Sequence, residues 1–374
     1  MQIEFFKHNI DDEAKQAVLK VLETPYIAMG KVVEELEAEF AKYLNTPYAL
    51  ALHTCTDALF LSLKALGIGP GDEVITTPLT FVATANSIVS VGARPVFVDV
   101  EADTGLIDIQ EIRKHITPKT KAIIPVHLYG QMADVEALAF IAKKNNLFII
   151  EDSAHCIEGN FDGIQPGQSG DTACFSFFAT KNITSGEGGM LITKSEAVYE
   201  KCRMMRSHGQ TRSADQRYKK AGLSWDVEIV GLNHKLTNFQ AAMLLPQLRK
   251  IETLWKRRQE IYRHYQAALS GAGIQTPKIL KNCRSGLHLF TFWVDNKVRN
   301  QILMALKEKG VHCTVNYNPL HLLSFYRKNY GYREGDFPHA ERIGGSTLSL
   351  PFYPDLKQEE IDYVAQTVIE TVRG

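Results

Sequence analysis

The chain has 374 residues, 45% of them hydrophobic and 22% charged, an ordinary globular balance with length enough for one large core and a smaller lobe. Lys plus Arg and Asp plus Glu number 42 each, which excludes a long-range field that would gather nucleic acid or coat an anionic membrane; any anion must be held locally. The sequence opens without a basic segment leading into an apolar run, has no apolar stretch long enough to span a bilayer, and spreads its six cysteines without a C-x-x-C pair, so a cytoplasmic protein with reduced thiols and no metal site is expected.

The first helix signal is an apolar-periodic segment from Asp57 to Leu66, preceded by the small polar residues Thr54-Cys55-Thr56. From about Val74 to Thr193 short β-rich apolar runs then alternate with helix-period segments. In chain order these are a strand at Val74-Ile75-Thr76, a helix from Phe81 to Val91, a strand from Pro95 to Val98 and a strand from Ala122 to Val126. A helix from Val135 to Asn145 and strands at Leu147 to Ile150, Cys174 to Phe177 and Met190 to Ile192 follow. Continuous apolar strands are those buried on both faces, so the class is α/β: a large domain with a mostly parallel sheet between helices. After Thr237 a helical stretch runs to about Leu269, followed by a strand candidate from Leu287 to Val294 and an amphipathic helix from Gln358 to Val372. A smaller C-terminal α+β domain accounts for them, with the division expected between residues 1–245 and 246–374. No internal repeat interrupts the pattern.

Ligands of such sheets sit at the carboxyl ends of the strands, and three of these ends stand out. Asp152 follows Leu-Phe-Ile-Ile-Glu directly, a carboxylate at the mouth of a buried strand, where a helix cap is the ordinary role. The run Cys174 to Gly189 passes from an apolar strand through Ser176 into a loop rich in Gly, Ser and Thr that carries a single Lys181. Backbone N–H groups and hydroxyls there suit a phosphate, and a desolvated lysine would have a lowered pKa and a nucleophilic amine. Thr56 and Asp57 stand at a helix start, where free N–H groups also suit a phosphate, although many such starts are caps and nothing more.

No G-x-G-x-x-G follows a strand and no Walker sequence is present, so nicotinamide and ATP lose their main support. Pyridoxal 5'-phosphate needs a Schiff-base lysine, an acid against its pyridine nitrogen and a phosphate cradle, and this sequence offers all three.

On these residues the chain resembles the sugar aminotransferases of the DegT/DnrJ/EryC1/StrS family, of the aspartate-aminotransferase (type I) fold. The resemblance runs nearly end to end. It is carried by Thr56-Asp57-Ala58-Leu59, Gly69-Pro70-Gly71-Asp72-Glu73-Val74, Thr80 to Asn86, His127-Leu128-Tyr129-Gly130-Gln131, Glu151-Asp152-Ser153-Ala154-His155, Ser176 to Gly189, Gly231 to Thr237, Asn316 to His321 and Leu348-Ser349-Leu350-Pro351.

The resemblance implies that Lys181 forms the Schiff base with pyridoxal phosphate, that Asp152 pairs with the pyridine nitrogen, and that Phe81 stacks on the ring with His155 near its phenolic oxygen. Thr56, the backbone of Asp57 and Ser176 would hold the phosphate, with Asn233 supplied by the neighbouring subunit of a homodimer. By position alone, Phe81 also fits a core residue and His155 a satisfied buried histidine. Lys235, Tyr317 and His321 would face the substrate, with a structural role for His321 equally open. Two departures stand near these positions: His53-Thr54-Cys55 where Ser-Gly is common, and His234-Lys235 where Tyr-Arg often follows the Asn.

The implied reaction moves an amino group from an amino acid, glutamate above all, to a nucleotide-linked keto sugar. C4 of a 4-keto-6-deoxy hexose is the leading acceptor and a 3-keto sugar the alternative. A related pyridoxamine-dependent dehydratase subgroup lacks the lysine that stands here at Lys181. A regulator binding the cofactor or a nucleotide sugar on the same fold gives no reason for Lys181, Asp152 and Ser176 to occur together.

Overall fold

The apolar runs between Tyr48 and Thr193 build one seven-stranded sheet. The structure, a computed structural model, describes residues 1–211 and 226–374. Its first elements are α1 (Asp12–Leu22), α2 (Lys31–Tyr43), β1 (Tyr48–Leu52), α3 (Cys55–Ala65), β2 (Glu73–Thr76), α4 (Ala83–Ser90), β3 (Arg94–Phe97), α5 (Ile109–Lys114) and β4 (Thr120–Ile124). Then come α6 (Val135–Asn145), β5 (Phe148–Asp152), β6 (Asn160–Phe161), β7 (Thr172–Ser176), β8 (Gly189–Thr193) and α7 (Glu196–Met205). Strand order is β1-β8-β7-β5-β4-β2-β3, with β8 antiparallel to both neighbours and every other pair parallel.

Both faces of this sheet are buried. Leu50, Leu52, Val74, Ile124 and Ile150 point to the side covered by α3 and α4, whereas Ala49, Ala51, Ala173, Phe175 and Ile192 point to the side covered by α2. On that second side Ile75, Ile123 and Ile149 pack with α5 and α6. This is why the strands read as unbroken apolar runs.

Strand β1 is the one the sequence pattern does not announce. Tyr48-Ala49-Leu50-Ala51-Leu52 is made of good helix formers, and it is held extended by its pairing with β8 along the whole length, from Tyr48 opposite Thr193 to Leu52 opposite Gly189.

That register brings the start of β8 against the start of α3. A Cβ on Gly189 would meet the Thr54 carbonyl carbon at 2.3 Å and the Cys55 nitrogen at 2.5 Å. Gly189→Ala is therefore expected to cost about 1–3 kcal/mol of stability in chemical denaturation by pushing the start of α3 away from β8. Unchanged stability would show that the approach is slack.

The C-terminal part contains α8 (Asn238–Arg249), α9 (Ile251–Gly271), β9 (Cys283–Arg284), β10 (Thr291–Trp293), α10 (Arg299–Glu308), α11 (Ser324–Tyr330), α12 (Pro338–Ser346), β11 (Thr347–Ser349) and α13 (Gln358–Arg373). The long helical stretch is two helices meeting at Lys250, and residues 245 and 246 fall inside α8. Leu244, Leu248 and Ile251 still pack with the large sheet. Further along α9, Ile261, Tyr265 and Leu269 enter a second core with Phe292, Leu306, Leu348 and Val364, which Ile3 from the chain start also joins. The strand expected from Leu287 shortens to β10 and pairs with β11. No helix among the described residues is long and apolar enough to cross a membrane.

Candidate active site

The carboxyl ends of β1, β2, β4, β5 and β7 open on a cavity of about 600 Å³, closed from the far side by Phe5, Thr314, Asn316 and Tyr317. Thr56, Phe81, Asp152, His155, Ser176, Lys181 and Tyr317 all line it. Residues spread over more than 250 positions of sequence thus meet at one sheet edge, as ligand sites of such sheets do.

On the α3 side the cavity meets the start of a helix, whose N–H groups suit an anion. Thr54 caps the helix by accepting from Asp57 N–H at 3.0 Å. The Asp57 N–H expected to hold phosphate is engaged in this cap. The Cys55 and Thr56 N–H groups have no carbonyl four residues back inside the helix, and both residues line the cavity. The Asp57 carboxylate turns instead to His234, 2.9 Å from its Nδ1.

Asp152 is fixed from several directions at the end of β5. Its N–H donates to Pro125 O at 2.9 Å and its carbonyl accepts from His127 N–H at 3.0 Å. Thr84, on α4, donates to Oδ2 at 2.7 Å, and Ala154 N–H donates to Oδ1 at 3.2 Å. Burial raises the carboxyl's pKa, opposed by the Thr84 and Ala154 bonds and by the nearby Lys181. A cationic partner facing this carboxylate would be strongly favoured, because little water competes for it.

Lys181 lies in the loop after β7, where its N–H donates to Phe178 O at 2.9 Å. Burial brings its amine down to about 8 from 10.5, with the Asp152 carboxylate pulling the other way. Cys55 itself stays a neutral thiol, since burial pushes its pKa well up. Roughly a tenth of the lysine is thus an unprotonated amine at pH 7, far more than at the ordinary value.

His155 lines the same wall and is also satisfied. Its Nδ1 accepts from Tyr129 N–H at 3.3 Å, which puts the ring proton on Nε2, 3.0 Å from the Tyr317 hydroxyl. Burial and Lys181 hold the ring neutral by driving its pKa well below the usual value. Phe81 is 57% exposed with its ring centroid 6.0 Å from that of Tyr317, so it is a wall of the cavity and not core.

Two expected ligands lie elsewhere, and Asn233, expected from a neighbouring subunit, lies outside the cavity of its own chain. His321 is corrected to a packing residue: it is fully buried, its Nε2 is 2.9 Å from Glu341 and its ring stands edge-on to Phe337 at 4.7 Å, away from the cavity lining. Lys235 bridges to Leu52, and Asn233 is exposed and bridges to Ser207, both outside the cavity of their own chain. Sequence reasoning missed Thr84 as the donor to Asp152, although it sits one helical turn from Thr80, whose hydroxyl it meets at 3.0 Å. It also missed Cys55, Thr180 and Asn316 on the wall.

Against known proteins, the model of the DegT/DnrJ/EryC1/StrS aminotransferase family matches residues 8–369. The chain belongs to this family. Among its relatives, the spore coat polysaccharide biosynthesis protein SpsC of Bacillus subtilis is 40% identical over 98% of this chain and 96% of that protein. GDP-perosamine synthase of Caulobacter vibrioides is 35% identical over 95% of this chain and 94% of its own length. Among solved structures, DesV of S. venezuelae in complex with a ketimine intermediate superposes with a TM-score of 0.92 at 32% identity, covering 100% of this chain and 99% of that one. An aminotransferase with the type I arrangement of a mostly parallel sheet between helices accounts for the cavity and its lysine together.

The lowered lysine pKa has a consequence for stability. Between pH 10.5 and about 8 the unfolded chain holds a proton on Lys181 that the folded chain has released, so stability rises with pH through that window. Below it a constant penalty remains, at most about 3 kcal/mol. Cofactor-free Lys181→Met is expected to be more stable than the parent at pH 7, with the gap closing as pH rises toward 10.5. A gap independent of pH, read by denaturant titration, would contradict the burial of the amine.

Proposed function

We propose that the chain binds pyridoxal 5'-phosphate on Lys181 and transfers an amino group from an amino acid, L-glutamate first, to a nucleotide-linked keto sugar, with C4 of a 4-keto-6-deoxy hexose as the acceptor. The observation that carries this is the convergence of Lys181, Asp152 and the free N–H groups of α3 on one cavity. The residues present fit the cofactor: a buried carboxylate for the pyridine nitrogen, an amine poised near neutrality, an exposed Phe81 face for the ring, and Thr56 with Ser176 beside the helix start for the phosphate. When bound, the cofactor supplies an electron sink that makes a proton on the neighbouring substrate carbon removable.

The chain's own groups do the rest. The Lys181 amine would serve as the nucleophile that binds the cofactor and as the base that moves the substrate proton; a pKa of about 8 suits both tasks. Asp152, whose carboxyl oxygens accept from Thr84 and Ala154, would face the ring nitrogen and keep it protonated. Neutral His155 donates rather than repels, and Tyr317 keeps its own proton because burial raises its pKa.

The keto-sugar acceptor draws support from the relatives, one a GDP-perosamine synthase and one a protein of spore coat polysaccharide biosynthesis. A homodimer with Asn233 reaching the neighbour's phosphate fits the exposure of Asn233 outside its own cavity. The deciding assay supplies pyridoxal phosphate, glutamate and either a nucleotide-linked 4-keto-6-deoxy hexose or its 3-keto isomer, with product mass and 2-oxoglutarate followed together. Amination of the 4-keto substrate is expected; amination of the 3-keto sugar alone would overturn the regiochemistry, and amination of neither would overturn the acceptor class.

A further inference from the structure

A second histidine stands behind the first. His288 is buried, and its ring centroid lies 4.4 Å from that of His155, yet it is not part of the cavity lining. Both histidines hang on the backbone of one residue: Tyr129 N–H donates to His155 Nδ1 at 3.3 Å, and the Tyr129 carbonyl accepts from His288 N–H at 3.1 Å.

The junction is made at a cost in backbone conformation. Tyr129 has φ of 59° and Leu287 has φ of 50°, both in the left-handed region that side chains rarely adopt. Gly130 lets the two segments touch, since a Cβ there would meet Leu287 N at 2.7 Å and His288 N at 3.0 Å. Such conformations persist when the surroundings hold them.

The His288 side chain is tied to the lysine loop. Its Nδ1 lies 3.3 Å from Asn182 Oδ1, which makes Nδ1 the protonated nitrogen. Asn182 follows Lys181 directly and spends its own N–H groups on the buried Glu158 carboxylate, at 3.0 and 2.9 Å, and on Gly286 O at 2.9 Å. Glu158 in turn pairs with the buried Arg258 of α9. Three chain segments, carrying His155, Lys181 and His288, are therefore clamped by one polar cluster.

We propose that His288 is a positioning residue for His155, held in register by Asn182 of the lysine loop and, through it, by Glu158 and Arg258. It rests on the reading above for the role of His155, but its geometry does not. His288 fills the space behind the His155 ring that water would otherwise take, and so keeps that ring neutral and aimed at Tyr317. The charged and titratable groups facing it are Lys181 and His155 from the sheet edge and Arg258 from α9, and burial with these neighbours holds His288 neutral too.

The test uses cofactor-free protein with ¹³C-labelled histidine, the His155 signal being assigned by its loss in His155→Gln. In the parent chain that signal is expected not to titrate near the usual 6.5. His288→Asn keeps a donor for Asn182 but removes the far half of the ring; water then enters, and His155 is expected to titrate about one pH unit or more higher than in the parent. His288→Phe keeps the bulk and loses the donor, so His155 stays neutral while kcat of the loaded enzyme falls roughly tenfold with KM little changed.

If His288→Asn leaves the His155 titration where it was and only lowers Tm, His288 is a packing residue and the proposal is overturned. If His155 titrates near 6.5 already in the parent, it is overturned as well. Absence of amino transfer by the parent enzyme would sink the proposed function and leave the titration free to decide this point.

Discussion

Lys181→Ala is expected to lower the turnover of amino transfer by at least about 10⁴-fold, since it removes the nucleophile and the proton carrier in one side chain. The cavity wall should survive, because Lys181 anchors its loop through its backbone N–H on Phe178 O and Asn182 keeps its own bonds to Glu158 and Gly286. Pyridoxal phosphate should still enter, held at the α3 end, and leave on dialysis after borohydride. Partial rescue by a small primary amine would separate the loss of base from any loss of structure. Turnover within tenfold of the parent without added amine would remove Lys181 from the mechanism.

Asp152→Asn is the second large effect. The amide is isosteric and still accepts from Thr84, so α4 and the end of β5 should stay in place. It carries no charge to hold a proton on the ring nitrogen, and a drop in kcat on the order of 10³-fold is expected from the loss of a preorganised charge in a water-poor site. The cofactor should remain attached to Lys181, so borohydride labelling persists while turnover fails. A loss below tenfold would mean that another group supplies the proton.

Much of this was legible in the sequence, for a stated reason. Strands β2, β4, β5, β7 and β8 were legible as apolar runs because both faces of the sheet are covered, and Asp152 and Ser176 stood out as polar residues at their ends. Strand β1 was hidden because Ala and Leu favour helices and only its pairing with β8 holds it extended. The break at Lys250 was hidden because apolar spacing continues across it.

The site divides in the same way. Lys181 was legible as a lone lysine in a glycine-rich loop after a strand, and Thr56 and Phe81 through the resemblance; all three line the cavity. The Asp57 N–H was not, since Thr54 takes it, and neither was the placing of His321, whose partner Glu341 is 20 residues on. His288 left one trace, a lone imidazole in the apolar run Leu287 to Val294, whose meaning depends on His155 arriving from another strand end.

The central claim is tested most directly by the absorbance spectrum of the purified protein with pyridoxal phosphate, before and after glutamate, followed by borohydride reduction and peptide mass mapping. The account requires an imine band that glutamate converts to the pyridoxamine form, with the reduced label on Lys181. No imine band, or a label on another lysine, would contradict it and bring forward a protein that binds on this fold without transferring an amine.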